Sequence, residues 1–366
     1  MHLYLHVPFC ARRCSYCDFA IAVRRVVPSE GYADAILCEW DLRQEDHAWR
    51  GSSRIDTIYF GGGTPSLLEP AALERILAAF GRRREIAGDA ELTLEANPDD
   101  VTTSRAADWH RLGINRISLG AQSFNPDVLR WMHRTHSAAD VPRAVETLRR
   151  AGIANLSLDL IFGLDPALRR DWGHDLTLAL SLEPSHLSLY GLTVEERTPL
   201  ARWVVAGTVR PADEDRYARE FLEADARLTE AEFEHYEVSN YARAGFRSRH
   251  NSAYWERRPF LGLGPSAHSG SGTRRRWNIR EWAAYQRAIA AGQDPVEGTE
   301  DLDPAAVSLE DRYLGLRTNR GIPAATLGPA QVEAWTTAGW ARASAGRVVL
   351  TPEGWLRMDA MTVSGE

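Results

Sequence analysis

The sequence predicts an α/β protein, a partial, open parallel β/α barrel of about six units followed by a small winged-helix-like α+β domain. Three observations predict it. Short apolar runs at 2–8, 55–60, 91–95, 116–120, 155–162 and 186–192 read as strands. The stretches between them, such as 70–84, 126–151 and 169–182, carry apolar residues at three- and four-residue spacing, the signature of helices. The resulting repeat of roughly 30–35 residues calls for a parallel sheet with right-handed crossovers, and six repeats are too few for a closed eight-unit barrel. Chemistry in such folds gathers at the carboxyl ends of strands. Three cysteines follow the first strand, Gly61-Gly62-Gly63-Thr64-Pro65 follows the second, Glu95 ends the third, Gln122 follows the fourth and Asp159 lies within the fifth.

The remainder is read in order. A helix over 214–230 precedes one more strand at 236–241, and a Gly- and Arg-rich stretch runs from 245 to 280. Polar residues with Gly and Pro at 291–303 read as a linker. Helices at 309–317 and 331–338, a hairpin arm at 347–354 and a helix at 355–361 then form the second domain. The expected division is 1–290 for the barrel and its extension and 300–366 for the winged-helix-like domain, which serves as a lid or support rather than a DNA reader.

Composition removes several classes. At 366 residues, 44% hydrophobic and 25% charged, the chain is globular. It has no uninterrupted apolar run near the roughly 18 residues of a membrane span, and its start lacks the pattern of a signal peptide. A cytoplasmic protein is expected, with only peripheral contact to any membrane partner. The net charge is −7 and no lysine occurs, so all 43 cations are arginine. An acidic chain without a basic tail is a poor nucleic-acid binder. Most of the twelve tryptophans are assigned to packing.

The cysteines are Cys10, Cys14, Cys17 and Cys38. Three within eight residues are not a disulfide framework in a cytosolic chain. Structural zinc wants four ligands, usually as two separated pairs. Three thiolates from one loop can instead hold three irons of a 4Fe-4S cluster and leave the fourth iron open to a small ligand. The alternative is a zinc site completed by Cys38 or His6; Cys38 itself reads as a buried helix cysteine.

The residues around these cysteines, Tyr4-x-His6-x-Pro8-Phe9-Cys10-x-x-x-Cys14-x-Tyr16-Cys17-Asp18-Phe19, resemble the opening of a radical SAM protein. More narrowly they are similar to the oxygen-independent coproporphyrinogen III oxidase-like group, which includes the heme chaperones of the HemW branch. The resemblance implies that S-adenosylmethionine (SAM) chelates the open iron and is cleaved to a 5′-deoxyadenosyl radical. It implies SAM contacts at Tyr4, at Gly62, Gly63 and Thr64 of the glycine turn, at Glu95 in Leu94-Glu95-Ala96-Asn97-Pro98, and at Gln122, Arg134 and Asp159. The charges suit a zwitterionic sulfonium, with carboxylates for ribose hydroxyls and cation and Arg134 for the SAM carboxylate. One departure is the loop after Phe162-Gly163-Leu164, which runs into Asp165-Pro166 where the group usually continues with Pro-Gly.

Two functions divide this group. Its oxidases carry a further Cys two residues after the third cluster ligand, where this chain has Phe19, so the chaperone branch is favoured. His250-Asn251-Ser252-Ala253-Tyr254-Trp255 matches that branch's H-N-x-x-Y-W motif and makes His250 the expected axial heme ligand. His268 is a weaker second candidate, balanced against a structural role, and Arg274-Arg275-Arg276 suit heme propionates, although such a charge run more often reads as a solvated loop. The expected cofactors are a 4Fe-4S cluster, SAM and heme. The expected partners are an apo-hemoprotein acceptor and an electron donor for the cluster. The competing reading is SAM-dependent oxidative decarboxylation of coproporphyrinogen III.

Overall fold

The computed structural model describes residues 1–43, 46 and 54–363. Six strands, β1 (His2–Val7), β2 (Arg54–Gly62), β3 (Glu85–Ala96), β4 (Arg116–Gln122), β5 (Asn155–Phe162) and β6 (His186–Gly191), pair in that order, each parallel to the next. Helices α1 (Ser29–Arg43), α2 (Pro70–Arg83), α3 (Thr103–Arg111), α4 (Pro126–Trp131), α5 (Asp140–Arg150) and α6 (Trp172–Ser181) connect them. These are the six expected units of an open parallel barrel.

Alternation along the strands decides what faces the helices and what faces the lumen. Leu3, Leu5 and Val7 of β1, Ile58 and Phe60 of β2, Leu92 and Leu94 of β3, and Leu156, Leu158 and Leu160 of β5 are buried in the apolar core. Their alternates are polar and bond to one another across the strands. Tyr59 donates to Glu95 (2.9 Å), Ser118 to Asp159 (2.9 Å), and Ser157 Oγ meets His186 Nδ1 at 2.8 Å. The lumen is therefore lined with hydrogen-bonding groups at a depth where unpaired ones would be costly.

The helix expected over 126–151 is two helices, α4 and α5, with a break between them at which His133 takes φ 60°. Asn125 accepts from Asp127 N and Val128 N to start α4. The break brings Arg134 into the lumen, where a continuous helix would have carried it away.

Beyond β6 come α7 (Pro199–Val205) and α8 (Glu214–Glu230). The expected strand at 236–241 is a tight hairpin, β7 (Glu234–Glu237) and β8 (Asn240–Ala242), because Ser239 N and the Asn240 amide both turn back onto the Glu237 carboxylate. The Gly- and Arg-rich stretch supplies α9 (Arg249–Trp255), β9 (Phe260–Leu263), β10 (His268–Ser271) and β11 (Arg274–Asn278), followed by α10 (Trp282–Ala290). β9 adds parallel to β1. The stretch 291–303 is not a linker, for it contains β12 (Val296–Asp301), antiparallel to β11. The residues of β12 are mostly polar and exposed, so an apolar pattern search does not see the strand. The whole sheet has twelve strands in the order β12-β11-β10-β9-β1-β2-β3-β4-β5-β6-β8-β7.

The carboxy-terminal part holds α11 (Pro304–Leu316), β13 (Ile322–Pro323), α12 (Pro329–Thr337), β14 (Ala341–Ser344), β15 (Arg347–Leu350), α13 (Pro352–Trp355) and α14 (Met358–Val363). Its strands form a sheet of their own, but Leu316, Trp335, Val348 and Trp355 belong to the same apolar core as the barrel. Trp355 donates to Leu316 O and its ring meets His235 edge-on. Among the described residues no helix is long and apolar enough to cross a membrane.

Candidate functional site

The loop after β1 starts from a fixed base. Phe9–Cys10 pairs in parallel with Ala22–Val23, through Ala22 N to Pro8 O and Arg24 N to Cys10 O. Further along, Ser15 N donates to Met132 O, and Leu200 N donates to Ser15 O. The loop is thus held between the α4–α5 break and α7. It carries Cys10, Cys14 and Cys17, all free, to the wall of one cavity of about 460 Å³ at the carboxyl ends of the strands.

The same cavity is lined by Gly62, Gly63, Thr64, Glu95, Gln122, Arg134 and Asp159. These residues are spread over more than a hundred positions of sequence, and the barrel brings them together. Tyr4 is not on the cavity wall. Its ring lies behind Gly61, and its hydroxyl bonds His6 Nδ1 at 3.1 Å.

Glu95 accepts from Tyr59 OH through one oxygen and from Gly62 N through the other, both at 2.9 Å. Burial, joined by the nearby Asp159 charge, pushes its pKa up to about 7 against those two bonds. Asp159 is likewise raised by burial, although serine hydroxyls, Ser118 among them, hold its carboxylate. Burial disfavours the charge on both carboxyls, and a cationic ligand in the cavity would favour their ionised forms.

Arg134 donates to Cys14 Sγ (3.6 Å), Gly120 O (2.9 Å) and Asn97 Oδ1. Thr64 Oγ1 donates to Cys10 Sγ at 3.4 Å. Sulfur here already faces hydrogen-bond donors, the environment a thiolate needs. Burial holds the Cys10 thiol up and lifts Cys17 to about 11, so loading a metal must displace protons from them.

Two positions admit no side chain. A Cβ on Gly62, at φ 113°, would lie 2.6 Å from the His6 ring, and one on Gly63 would lie 2.7 Å from Phe9 O. The turn therefore passes close beneath the cavity, pinned by Gly62 N on Glu95 and Gly63 N on Val7 O (2.7 Å), with no side chain between its backbone and the cavity.

The donor set suits a 4Fe-4S cluster with SAM. The three cysteine sulfurs line one wall of the cavity. In a cluster each thiolate takes its own iron. The zinc alternative loses both its fourth ligands. Cys38, expected to be buried, is exposed on α1, because the buried face of that helix is taken by Tyr32, Ile36, Glu39 and Trp40. His6 is buried with its Nε2 on Ala20 O at 2.9 Å and its Nδ1 on Tyr4.

Sequence reasoning missed Asn97, Ser118, His133 and Tyr190 on the cavity wall. Asn97 sits inside a motif already singled out, Ser118 lies on the fourth expected strand, and Tyr190 is near the end of the sixth strand, where position alone would have flagged it.

The heme candidates lie apart from this cavity. His250 is buried at the opposite, amino-terminal end of the lumen. Its Nδ1 bonds Thr57 Oγ1 at 2.7 Å, its Nε2 bonds Tyr254 OH at 2.8 Å, and its backbone N donates to Glu91. Burial drives its pKa down to about 3, so the ring is neutral, and no ring nitrogen is free in this conformation. His268 is exposed and stacks on Trp277, with ring centroids 5.9 Å apart. Arg275 is ion-paired with Glu310 and Arg276 with Asp294, which accounts for two of the three arginines of that run. Asp165 in the divergent loop caps a short turn through Ala167 N and also accepts from Arg210 N.

Residues 4–179 match the model of the radical SAM superfamily. The heme chaperone HemW of Synechocystis is 37% identical over 333 residues, 88% of this chain and 79% of that protein. HemW of Mycobacterium tuberculosis is 36% identical over 98% of this chain and 93% of its own length. Among solved structures, coproporphyrinogen III oxidase (HemN) from Escherichia coli superposes with a TM-score of 0.82 at 21% identity. It covers 98% of this chain and 88% of that one, a likeness of fold.

Proposed function

This chain belongs to the radical SAM superfamily and, within it, to the HemW family, and from that premise we propose that it is a heme chaperone, receiving heme and passing it to an apo-hemoprotein. The observation that carries the proposal is the identity to HemW proteins over nearly the whole chain, and Phe19, where oxidases of the group carry a cysteine, supports it.

Cys10, Cys14 and Cys17 hold the cluster, and the cavity beside them takes SAM. The bound pair supplies one-electron reducing chemistry. The chain's own residues do the rest. Glu95 and Asp159 offer negative charge to the ribose hydroxyls and the sulfonium, Arg134 meets the SAM carboxylate, and the Gly62–Gly63 turn admits the methionine part. Gln122, at φ 63°, is fixed at the end of β4 by its backbone turn.

Heme ligation by His250 is part of the proposal and makes a structural demand. The bonds to Thr57 and Tyr254 must break and α9 must move before an imidazole nitrogen reaches iron. A His250-ligated state therefore differs in conformation from the one described here.

The test is anaerobic reconstitution of the cluster, heme titration followed at the Soret band, and transfer to an apo-globin. Binding with transfer supports the chaperone. Failure to bind heme, with conversion of coproporphyrinogen to protoporphyrinogen by the reduced protein, would replace it with the oxidase.

A further inference from the structure

A second concavity of about 530 Å³ lies on the outer side of the cluster loop, within the roughly 300–1,000 Å³ range of small-ligand sites. Arg13, Arg197, Arg202 and Arg280 line it, against two carboxylates, Asp18 and Glu281. This excess of positive charge stands out in a chain of net charge −7.

None of the four guanidinium groups is ion-paired among the described residues. Arg13 and Arg280 reach only backbone oxygens, of Cys17 and Asp18. Elsewhere the arginines commonly meet acids, as Arg257, Arg275, Arg276 and Arg317 do. Of the two local acids, Glu281 is engaged in capping α10 through Ala283 N and Ala284 N. A groove that gathers four cations against two acids, with no ion pair among them, is suited to an anionic ligand.

The groove also has an apolar side. Phe19 is 59% exposed and lines both this concavity and the cluster cavity, so it stands on the rim between them. Ile21 and Trp282 line the groove as well, and Val23 and Val26 are exposed on the continuation of the same loop. An aromatic face beside a cationic rim fits a flat apolar ring system carrying carboxylates. A concave site favours such a small molecule over the broad flat contact that a protein partner makes.

We propose that this groove is the docking site for the propionate edge of heme, with Arg197 and Arg202 pairing the carboxylates and Phe19 covering the porphyrin face. The inference rests on the chaperone reading and adds to it a place distinct from His250. Heme held here meets no histidine of the groove, which suits cargo that must be released to an acceptor.

The test uses the reconstituted full chain and its Arg197→Glu/Arg202→Glu variant, with heme and heme dimethyl ester as probes. Both arginines are exposed, so the substitution leaves the fold, cluster content and SAM affinity as internal controls. Wild type should bind heme at least about tenfold more tightly than the ester, the worth of one charge-assisted bond. In the variant the heme affinity should fall to that of the ester, and the ester's own affinity should not change. If the variant binds heme as wild type does, the groove is not the site while the chaperone reading stands. If it binds heme normally but accepts electrons more slowly from an acidic flavodoxin, the arginines serve a protein partner and the inference is overturned. If wild type binds no heme at all, the chaperone reading fails and this site with it.

Discussion

Glu95 gives a prediction that can be worked through from the structure. Its carboxyl is raised from 4.5 to about 7, chiefly by burial, with Tyr59 and Gly62 opposing the shift. Below about pH 4.5 the group is neutral in folded and unfolded chains alike. Between there and about 7 the unfolded chain ionises while the folded one keeps its proton, so stability falls as pH rises. Above about 7 the loss is complete. At about 1.4 kcal/mol per unit, the shift amounts to about 3 kcal/mol. Glu95→Gln carries no titrating proton there. The stability difference between variant and wild type should therefore move by about 3 kcal/mol in favour of the variant over that window.

Urea unfolding of the cluster-free proteins across about pH 4.5–8 measures this. SAM binding runs the other way, because a sulfonium prefers the ionised carboxylate. Wild-type affinity should weaken by up to about tenfold per unit below pH 7. The variant's should be flat and, at about pH 8, about 10–100-fold weaker, the worth of a charged hydrogen bond. Parallel stability curves for the two proteins would refute the reasoning, since Glu95 would then titrate as an ordinary surface acid.

The other predictions concern the cluster, the turn and the buried histidine. Serine at Cys10, Cys14 or Cys17 should abolish most of the bound iron and sulfide, while Cys38→Ser should retain all of it, as iron analysis and the visible spectrum will tell. Gly62→Ala should destabilise the protein by about 1–3 kcal/mol and eliminate measurable SAM binding, because the backbone there is left-handed and a Cβ meets the His6 ring. His250→Ala strands Thr57 and Tyr254 in the interior and should cost about 2–5 kcal/mol in a denaturant melt. It should also remove a histidine-ligated heme spectrum that added imidazole restores; an unchanged spectrum would show that iron never reaches His250.

The parallel strands and the cysteine loop were legible because each announces itself locally: apolar runs bounded by turns, and three thiols in one short segment. Glu95, Gln122, Arg134 and Asp159 were legible because motifs and strand-end positions marked them. Arg134 reaches the cavity only because the helical pattern of 126–151 breaks at His133, which the apolar spacing conceals. The strand at 296–301 escaped notice because Val-Glu-Gly-Thr-Glu-Asp is polar and mostly exposed, with no apolar alternation to announce it. The burial of His250 was not readable either, since it depends on Thr57, roughly two hundred residues away, coming within 2.7 Å. The exposure of Cys38 turns on which face of α1 meets the barrel, and that face is crowded with Glu39 and its partners Tyr285, Gly264 and Asn278.

The central claim is that this chain carries heme and gives it away, and a transfer experiment addresses it most directly. Protein with its cluster reconstituted anaerobically is loaded with one equivalent of heme, freed of excess, and mixed with an apo-globin while the globin Soret band is recorded. The account predicts loading to a defined stoichiometry and transfer at a rate set by protein concentration, with the cluster intact at the end. A protein that takes up no heme, or holds it without release while converting coproporphyrinogen under reducing conditions, would contradict it.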